Sequence, residues 1–330
     1  KIFGDCFDSR GVAPEASRPR MPSEGGPGSA WVAAASVVRR LDALPSSACA
    51  ARTYAGLFCG SFCATLAAHW LVRRAAARLP AILGRNRLSA ADREDWDSRV
   101  VSTLMSVIML CGYAKHAAPA GLLDAWRTDA FDAVCVGSCG RDVWMTALCG
   151  YLSADALLCA RALLAKRRNA GPPARAGAYD DPVLLLHHAV VGVAFGVGMY
   201  SRLATSYMAA LIVNEASTPF VNLRALINYA VPPRQQRGAV KVLYVANGVV
   251  LVFSFGFARV VWTFAICLHI CTAWATLWRA GVLAGGARLP VVVSLSILCA
   301  AHYAINLVWF RHIVQHVAKQ LRQDPETKAI

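Results

Sequence analysis

VLYVANGVVLVFSFGFARVVWTFAICLHICTAWATLW, residues 242–278, is apolar for 37 positions apart from Arg259, His269 and a few small polar side chains. A helix crosses the roughly 30 Å hydrocarbon core with about 20 such residues, so this stretch reads as two spans, or as one span plus an interfacial helix. Similar runs lie on either side of it: 54–72, 99–117, 143–164, 183–201, 203–221 (interrupted by Pro219) and 289–310. The whole chain agrees with this pattern. Its 330 residues are 57% hydrophobic and only 16% charged, with a mean hydropathy of +0.44. This composition argues against a single water-soluble core, a disordered chain or a small disulfide scaffold. The expected fold is all-α, a polytopic membrane bundle of six to seven helices around a central cavity, with eight spans as the upper count.

The net charge of +15 needs no nucleic acid to explain it, because the cations gather in short loops, as the positive-inside rule requires. Arg73, Arg74, Arg78, Arg85, Arg87 and Arg93 mark the first loop, Lys166, Arg167, Arg168 and Arg175 the third, and Arg224, Arg234, Arg237 and Lys241 the fifth. These loops are expected to face the cytosol. The second loop carries Asp124, Asp129, Asp132 and Asp142 against Arg127 and Arg141. Three regions follow: 1–50, a disordered tail or the end of a truncated gene reading; 51–315, the transmembrane domain; and 316–330, a basic cytosolic tail.

Charge inside the spans carries the functional signal, since an ionised side chain at mid-bilayer costs about 2.5–3.5 kcal/mol on insertion scales and needs a partner or a wet cavity. Asp155, His187, His188, Glu215 and Arg259 are such residues. Neighbouring helical residues point about 100° apart, so His187 and His188 cannot share one partner, and at least one is expected to face the bundle. A carboxylate, Asp155 or Glu215, would orient an imidazole acting as base, acid or acyl acceptor. The competing reading is polar contacts that merely join helices. The lone His116, His269 and His302 read as structural. The stretch from Glu215 to Arg224 is polar for membrane depth and must line a cavity or be covered by protein; if helical, it places Glu215, Thr218 and Asn222 on one face.

Three cysteine pairs have i, i+4 spacing: Cys59/Cys63, Cys135/Cys139 and Cys267/Cys271. None has a His or acid at ligand spacing, so no metal is expected, although Cys135 and Cys139 could form a disulfide outside the cytosol. Gly56/Gly60 and Gly192/Gly196 match a helix-packing pattern of small residues. No phosphate loop, dinucleotide fingerprint, serine-hydrolase elbow or zinc-protease motif occurs.

Five blocks in order are similar to the TLC-domain family, and to its type 4 branch in particular. They are Trp96 to Thr103 (W-D-S-R-V-V-S-T), Gly150 to Asp155, His187-His188, Glu215 to Arg224 (E-x-S-x-P-F-V-N-x-R), and Arg259 with Asn306 and Trp309. The family includes the ceramide synthases, to which this branch is a distant relative. The resemblance implies an integral membrane protein of the endoplasmic reticulum or a related endomembrane. It makes His187 and His188 the catalytic candidates if the chain is an enzyme, with Asp155, Glu215, Asn222, Arg224 and Arg259 lining a lipid cavity. Two positions depart from the synthases. Their later helix holds a His-Asp-x-x-Asp cluster where this chain has Asn214-Glu215, and Met105 stands where the branch usually has a His. These departures rank lipid binding in lipid homeostasis first. An acyl-CoA-dependent N-acyltransferase of sphingolipid type, with acyl-CoA as co-substrate, comes second, and a trafficking or cargo-receptor role third. Membrane lipids are the expected partners, with no resident cofactor; self-association into a homodimer is compatible with the sequence.

Overall fold

In the computed structural model the described residues are 48–78, 88–116, 139–168, 182–201, 203–232, 235–279, 281 and 288–323. They form helices α1 (Ala48–Arg78), α2 (Ala90–His116), α3 (Cys139–Arg168) and α4 (Pro182–Ser201). Next come the short α5 (Thr205–Ala210), a 3-10 segment (Leu211–Ser217) and α6 (Thr218–Ala230). Then α7 (Gly238–Phe255) runs through a π-helical segment (Gly256–Val261) into α8 (Trp262–Arg279), and α9 (Arg288–Gln323) ends the series. Among the described residues no strand occurs.

Helix α3 packs on α1, α2 and α4; α4 meets α9; α9 meets α7, the π segment and α8; α6 joins α7 to α2. These pairings close a ring around the 3-10 segment, with α1 outside it against α2 and α3. The surface of the ring is the reverse of a soluble protein's. Trp70, Leu104, Ile108, Val193, Phe253, Phe257 and Ile297 are exposed, while Asp97, Arg99, Asp155, His187, His188, Glu215, Arg259 and Asn306 are buried. Apolar outside and charged inside is the pattern that lipid imposes, and the chain is a multi-pass membrane protein.

Five helices among the described residues are long and apolar enough to cross: Tyr54–Ala76, Val143–Arg161, Pro182–Ser201, Gly238–Arg279 and Leu289–Gln320. The apolar run with which the sequence reading began is neither two spans nor a span with a separate interfacial helix. It is a single helix of 42 residues, about 63 Å long at 1.5 Å per residue, and the extra length is taken up without a turn. The runs at 99–117 and 203–221 are helical but differ from the other five. Helix α2 carries a charged stretch of about two turns near its start, Asp92 to Arg99. The 203–221 run is broken into α5, the 3-10 segment and the start of α6. Pro219 explains that break, because it has no N–H to give the Glu215 carbonyl. The Thr218 N–H bonds that carbonyl instead, which is the tighter 3-10 pattern, and Pro219 then sits in the first turn of α6, where proline is tolerated.

The glycine pairs expected at interfaces are not there: a Cβ on Gly56, Gly60, Gly192 or Gly196 would meet nothing within 4 Å. The close approach falls at Gly150, whose added Cβ would lie 2.5 Å from the Phe58 carbonyl oxygen. Beside it, Ser61 Oγ donates to the Ala147 carbonyl at 2.6 Å, and together these hold α1 against α3. Asp124, Asp129 and Asp132, the loop cations Arg85, Arg87, Arg127, Arg175 and Arg234, and Cys135 lie outside the described residues, as do the side chains of Cys139 and Asp142.

Candidate functional site

Helices α2, α3, α4, α6, α7 and α9 and the 3-10 and π segments all contribute to one polar cavity of about 280 Å³. Helix α2 supplies Arg99 and Ser102, α3 Tyr151 and Asp155, and α4 His187 and His188. Glu215 comes from the 3-10 segment, Thr218 and Asn222 from α6, Arg259 from the π segment, and Trp309 and His312 from α9. A second pocket, apolar and about 60 Å³, adjoins it, lined by Leu148, Val191, Phe195, Tyr207, Met208, Ile270, Trp274 and Leu298 among others. Leu152, His187, Glu215 and Arg259 line both, so they form the wall between a polar and an apolar compartment.

His187 and His188 both point inward. His188 Nε2 lies 3.3 Å from Asp155 Oδ2, so Asp155, rather than Glu215, is the acid beside the histidine pair. His187 packs between rings, with centroids 5.0 Å from His302 and 4.9 Å from Trp309. Its Nδ1 has no hydrogen-bond partner among the described residues. His302 is no isolated structural residue. Its Nε2 lies 3.1 Å from the Asn214 side-chain amide and 3.0 Å from that of Asn306, and its ring backs His187. His269 contacts the Tyr207 hydroxyl at 2.5 Å, beside the apolar pocket. The His116 side chain lies outside the described residues.

Glu215 accepts from Ser106 Oγ at 2.8 Å and lies 4.0 Å from Arg259. Arg259 holds the junction of the 3-10 segment and α6. Its Nε donates to the Asn214 carbonyl at 3.2 Å and Ser217 Oγ at 2.8 Å, and an Nη donates to Thr218 Oγ1 at 3.0 Å. Thr263, one turn on, donates to Asn214 Oδ1 at 3.2 Å. The 3-10 and π segments thus meet where Glu215 and Arg259 are carried into the bundle, a recurrent setting for π-helical turns.

Asn222 lines the cavity, but Arg224 lies away from it. Arg224 bonds Gln320 Oε1 at 2.6 Å and the Tyr244 carbonyl at 3.3 Å, and stacks over the Tyr244 ring at 4.0 Å. It fastens α6 to α7 and α9, and helix α9 continues past residue 315 to supply Gln320. In its place the cavity has Arg99, which the sequence reading did not single out as a site residue. Arg99 is bonded to Asp95 Oδ2 at 2.7 Å and reaches Asn222 Oδ1 at 3.4 Å. Tyr229 donates to the same Asp95 oxygen at 2.5 Å. Burial first, and the Asp95 carboxylate second, push that phenol up, so it stays a donor. The Asp95–Arg99 spacing of i, i+4 at the head of an apolar run was a legible sign of a buried pair. Tyr151, whose hydroxyl meets Ser102 Oγ at 2.9 Å, carried no such sign.

An inward-facing polar cavity joined to an apolar one, in a ring of lipid-facing helices, defines a membrane protein built around an intramembrane site. The TLC domain matches residues 95–315, and the chain belongs to the TLC-domain family. It is similar to TLC domain-containing protein 4-A of Xenopus laevis, 25% identical over 244 residues, 73% of this chain and 83% of that protein. It is also similar to TLC domain-containing protein 4 of Xenopus tropicalis, 24% identical over 246 residues, 73% of this chain and 82% of that one. No solved structure matches it.

Proposed function

We propose that the protein binds a membrane lipid as part of lipid homeostasis, in the endoplasmic reticulum or a related endomembrane. The headgroup sits in the polar cavity and the chain leads toward the apolar pocket. The observation that carries this reading is the shared wall of Leu152, His187, Glu215 and Arg259 between the two compartments. An amphipathic molecule matches such a division, whereas a purely polar solute would leave the apolar side unused. The polar compartment, at about 280 Å³, lies just below the roughly 300–1,000 Å³ common for small-ligand pockets. Arg99 and Arg259 with Asp155 and Glu215 give it both signs of charge, which suits a headgroup carrying both.

A second reading is favoured by one atom. His187 Nδ1 is buried and without a hydrogen-bond partner among the described residues, on a residue that lines both compartments. In an acyl-CoA-dependent N-acyltransferase it would accept a proton from the attacking amine or carry the acyl group. Mass spectrometry of lipids that co-purify with detergent-extracted protein, beside an assay with a sphingoid base and acyl-CoA, separates the two. Wild type is compared with the double variant His187→Ala/His188→Ala. Bound lipid that is lost in the variant, with no product from either protein, supports lipid binding. Product that disappears in the variant establishes the transferase. Neither lipid nor product from the wild type sinks both readings.

A further inference from the structure

Helices α3 and α4 bring together three side chains of the kinds that bind transition metals. Asp155 and Cys159 stand at i, i+4 on one face of α3, and His188 faces them from α4. Their ligating atoms all lie within 4.8 Å of one another, and all three residues are buried. Asp155 Oδ2 and His188 Nε2 are 3.3 Å apart; two ligands on a tetrahedral ion with bonds of about 2.0–2.1 Å sit about 3.3–3.4 Å apart. Cys159 Sγ lies 3.9 Å from the other ring nitrogen, His188 Nδ1, so seating one ion on all three residues requires the imidazole to turn toward the sulfur within the 4.8 Å cluster. The spacing rules applied to the sequence looked for ligands among the three cysteine pairs. This trio escaped them because its third member comes from another helix.

We propose that Asp155, Cys159 and His188 form a zinc site on the wall of the polar cavity. The donor set selects the class of ion. Magnesium and calcium take oxygen ligands, whereas a thiolate with an imidazole and one carboxylate suits zinc. Three protein ligands leave the fourth tetrahedral position for water or an oxygen of a bound ligand, the arrangement of zinc sites that act on substrates rather than merely brace a fold. Asp155 and His188 line the cavity while Cys159 does not, so the open position faces the cavity and the sulfur sits behind it. Binding exchanges the thiol proton of Cys159 for the ion, and that proton is released to solvent. The dication also offsets the buried Asp155 carboxylate together with the thiolate that its binding creates. The oxygen taken at the fourth position would come from a carboxylate, phosphate or carbonyl group. The site stands whether or not the cavity holds a lipid.

The test uses full-length protein in detergent, with any histidine tag removed, and measures metals by plasma mass spectrometry. The expected result is about one zinc per chain in the wild type and less than about a tenth of that in Cys159→Ala and His188→Ala. A second measurement does not depend on the variants folding well. Wild type stripped with chelator and reloaded with cobalt(II) is expected to show thiolate-to-cobalt charge-transfer absorption in the near ultraviolet and tetrahedral cobalt bands in the visible. In Cys159→Ser the near-ultraviolet band is lost. Wild type that carries no zinc as purified and shows no thiolate–cobalt band after reloading overturns the proposal, leaving an acid–histidine contact beside a packed cysteine. Metal retained at full stoichiometry in both alanine variants overturns it as well, placing the ion on other cysteines of the chain.

Discussion

On α3 and α4, Asp155 meets His188 across two regular helices, whereas on the other side of the same cavity Glu215 and Arg259 meet where neither backbone is regular. Both regions hold a buried carboxylate against a nitrogen base inside an apolar bundle. In the first, side chains answer side chains at helical spacing. In the second, the 3-10 and π segments turn a main-chain carbonyl and two hydroxyls toward one guanidinium, and the shell is dense. A side-chain pair between two regular helices can exchange a partner for a ligand or an ion. A dense shell with main-chain acceptors fixes a geometry, so the irregular region should carry the stability and the regular one the exchangeable chemistry.

The largest effect is expected from Arg259→Met. It leaves Glu215, the Asn214 carbonyl, Ser217 and Thr218 facing an apolar side chain, and breaking a buried pair from one side costs about 3–5 kcal/mol. Denaturant titration in detergent micelles should show that loss, with Arg259→Lys in between because its ammonium cannot span the same acceptors. An Arg259→Met protein as stable as the wild type would erase the contrast.

Next in size is a pair of amide substitutions compared with each other. Glu215→Gln keeps an acceptor for Ser106 but leaves Arg259 without its counter-charge, and a lost charged hydrogen-bond partner is worth about 1.5–3 kcal/mol. In metal-free protein Asp155→Asn replaces the carboxylate that meets His188 at 3.3 Å with an amide that can still bond it, and a loss of about 1 kcal/mol or less is expected, as for a neutral hydrogen bond. Equal losses for the two would mean that the regions are alike.

What could be read from the sequence divides along the same line. Asp155, His187 and His188 stood out because regular helices keep their spacing, and a charge in an apolar run is conspicuous whatever surrounds it. The 215–224 stretch stood out as an anomaly, but its partners did not. A helical wheel assumes 100° per residue, and the 3-10 and π turns depart from that at the residues that matter. Arg224 misled for a related reason: an arginine at the end of a polar stretch looks the same on paper whether it turns into a cavity or onto Tyr244. The order of helices was legible in the hydropathy. Continuity through 242–278 was not, since apolarity reports depth in lipid and says nothing of whether the chain turns.

Close packing behind α3 gives a smaller effect. Gly150→Ala puts a Cβ against the Phe58 main-chain oxygen, and backbone cannot yield as a side-chain tip can. A loss of about 1–3 kcal/mol is expected, whereas Gly192→Ala and Gly196→Ala meet open space and should be neutral or gain up to about 1 kcal/mol of helix propensity each. Thermal unfolding of the three variants in one detergent ranks them. If Gly150→Ala proves harmless while the α4 variants are destabilised, then α1 does not brace the regular half of the site.

The smallest effect on stability comes with a sharp chemical readout. Cys267 on α8 and Cys299 on α9 have sulfurs 3.1 Å apart, and closing them to a disulfide needs a movement of only about 1 Å. Mild oxidation of the protein in membranes with copper phenanthroline should link these two, as seen by peptide mass spectrometry, with little change in unfolding temperature. The alternative of two spans separated by a turn within 242–278 would reset the rotation of α8 about its own axis, and Cys267 would no longer face α9. A link that forms between Cys267 and Cys299, and is absent in Cys299→Ser, ties the irregular region to one unbroken helix. Links that form instead through Cys271, four residues and about 40° further round the helix, would show that the π segment sets a different rotation, and with it a different direction for Arg259.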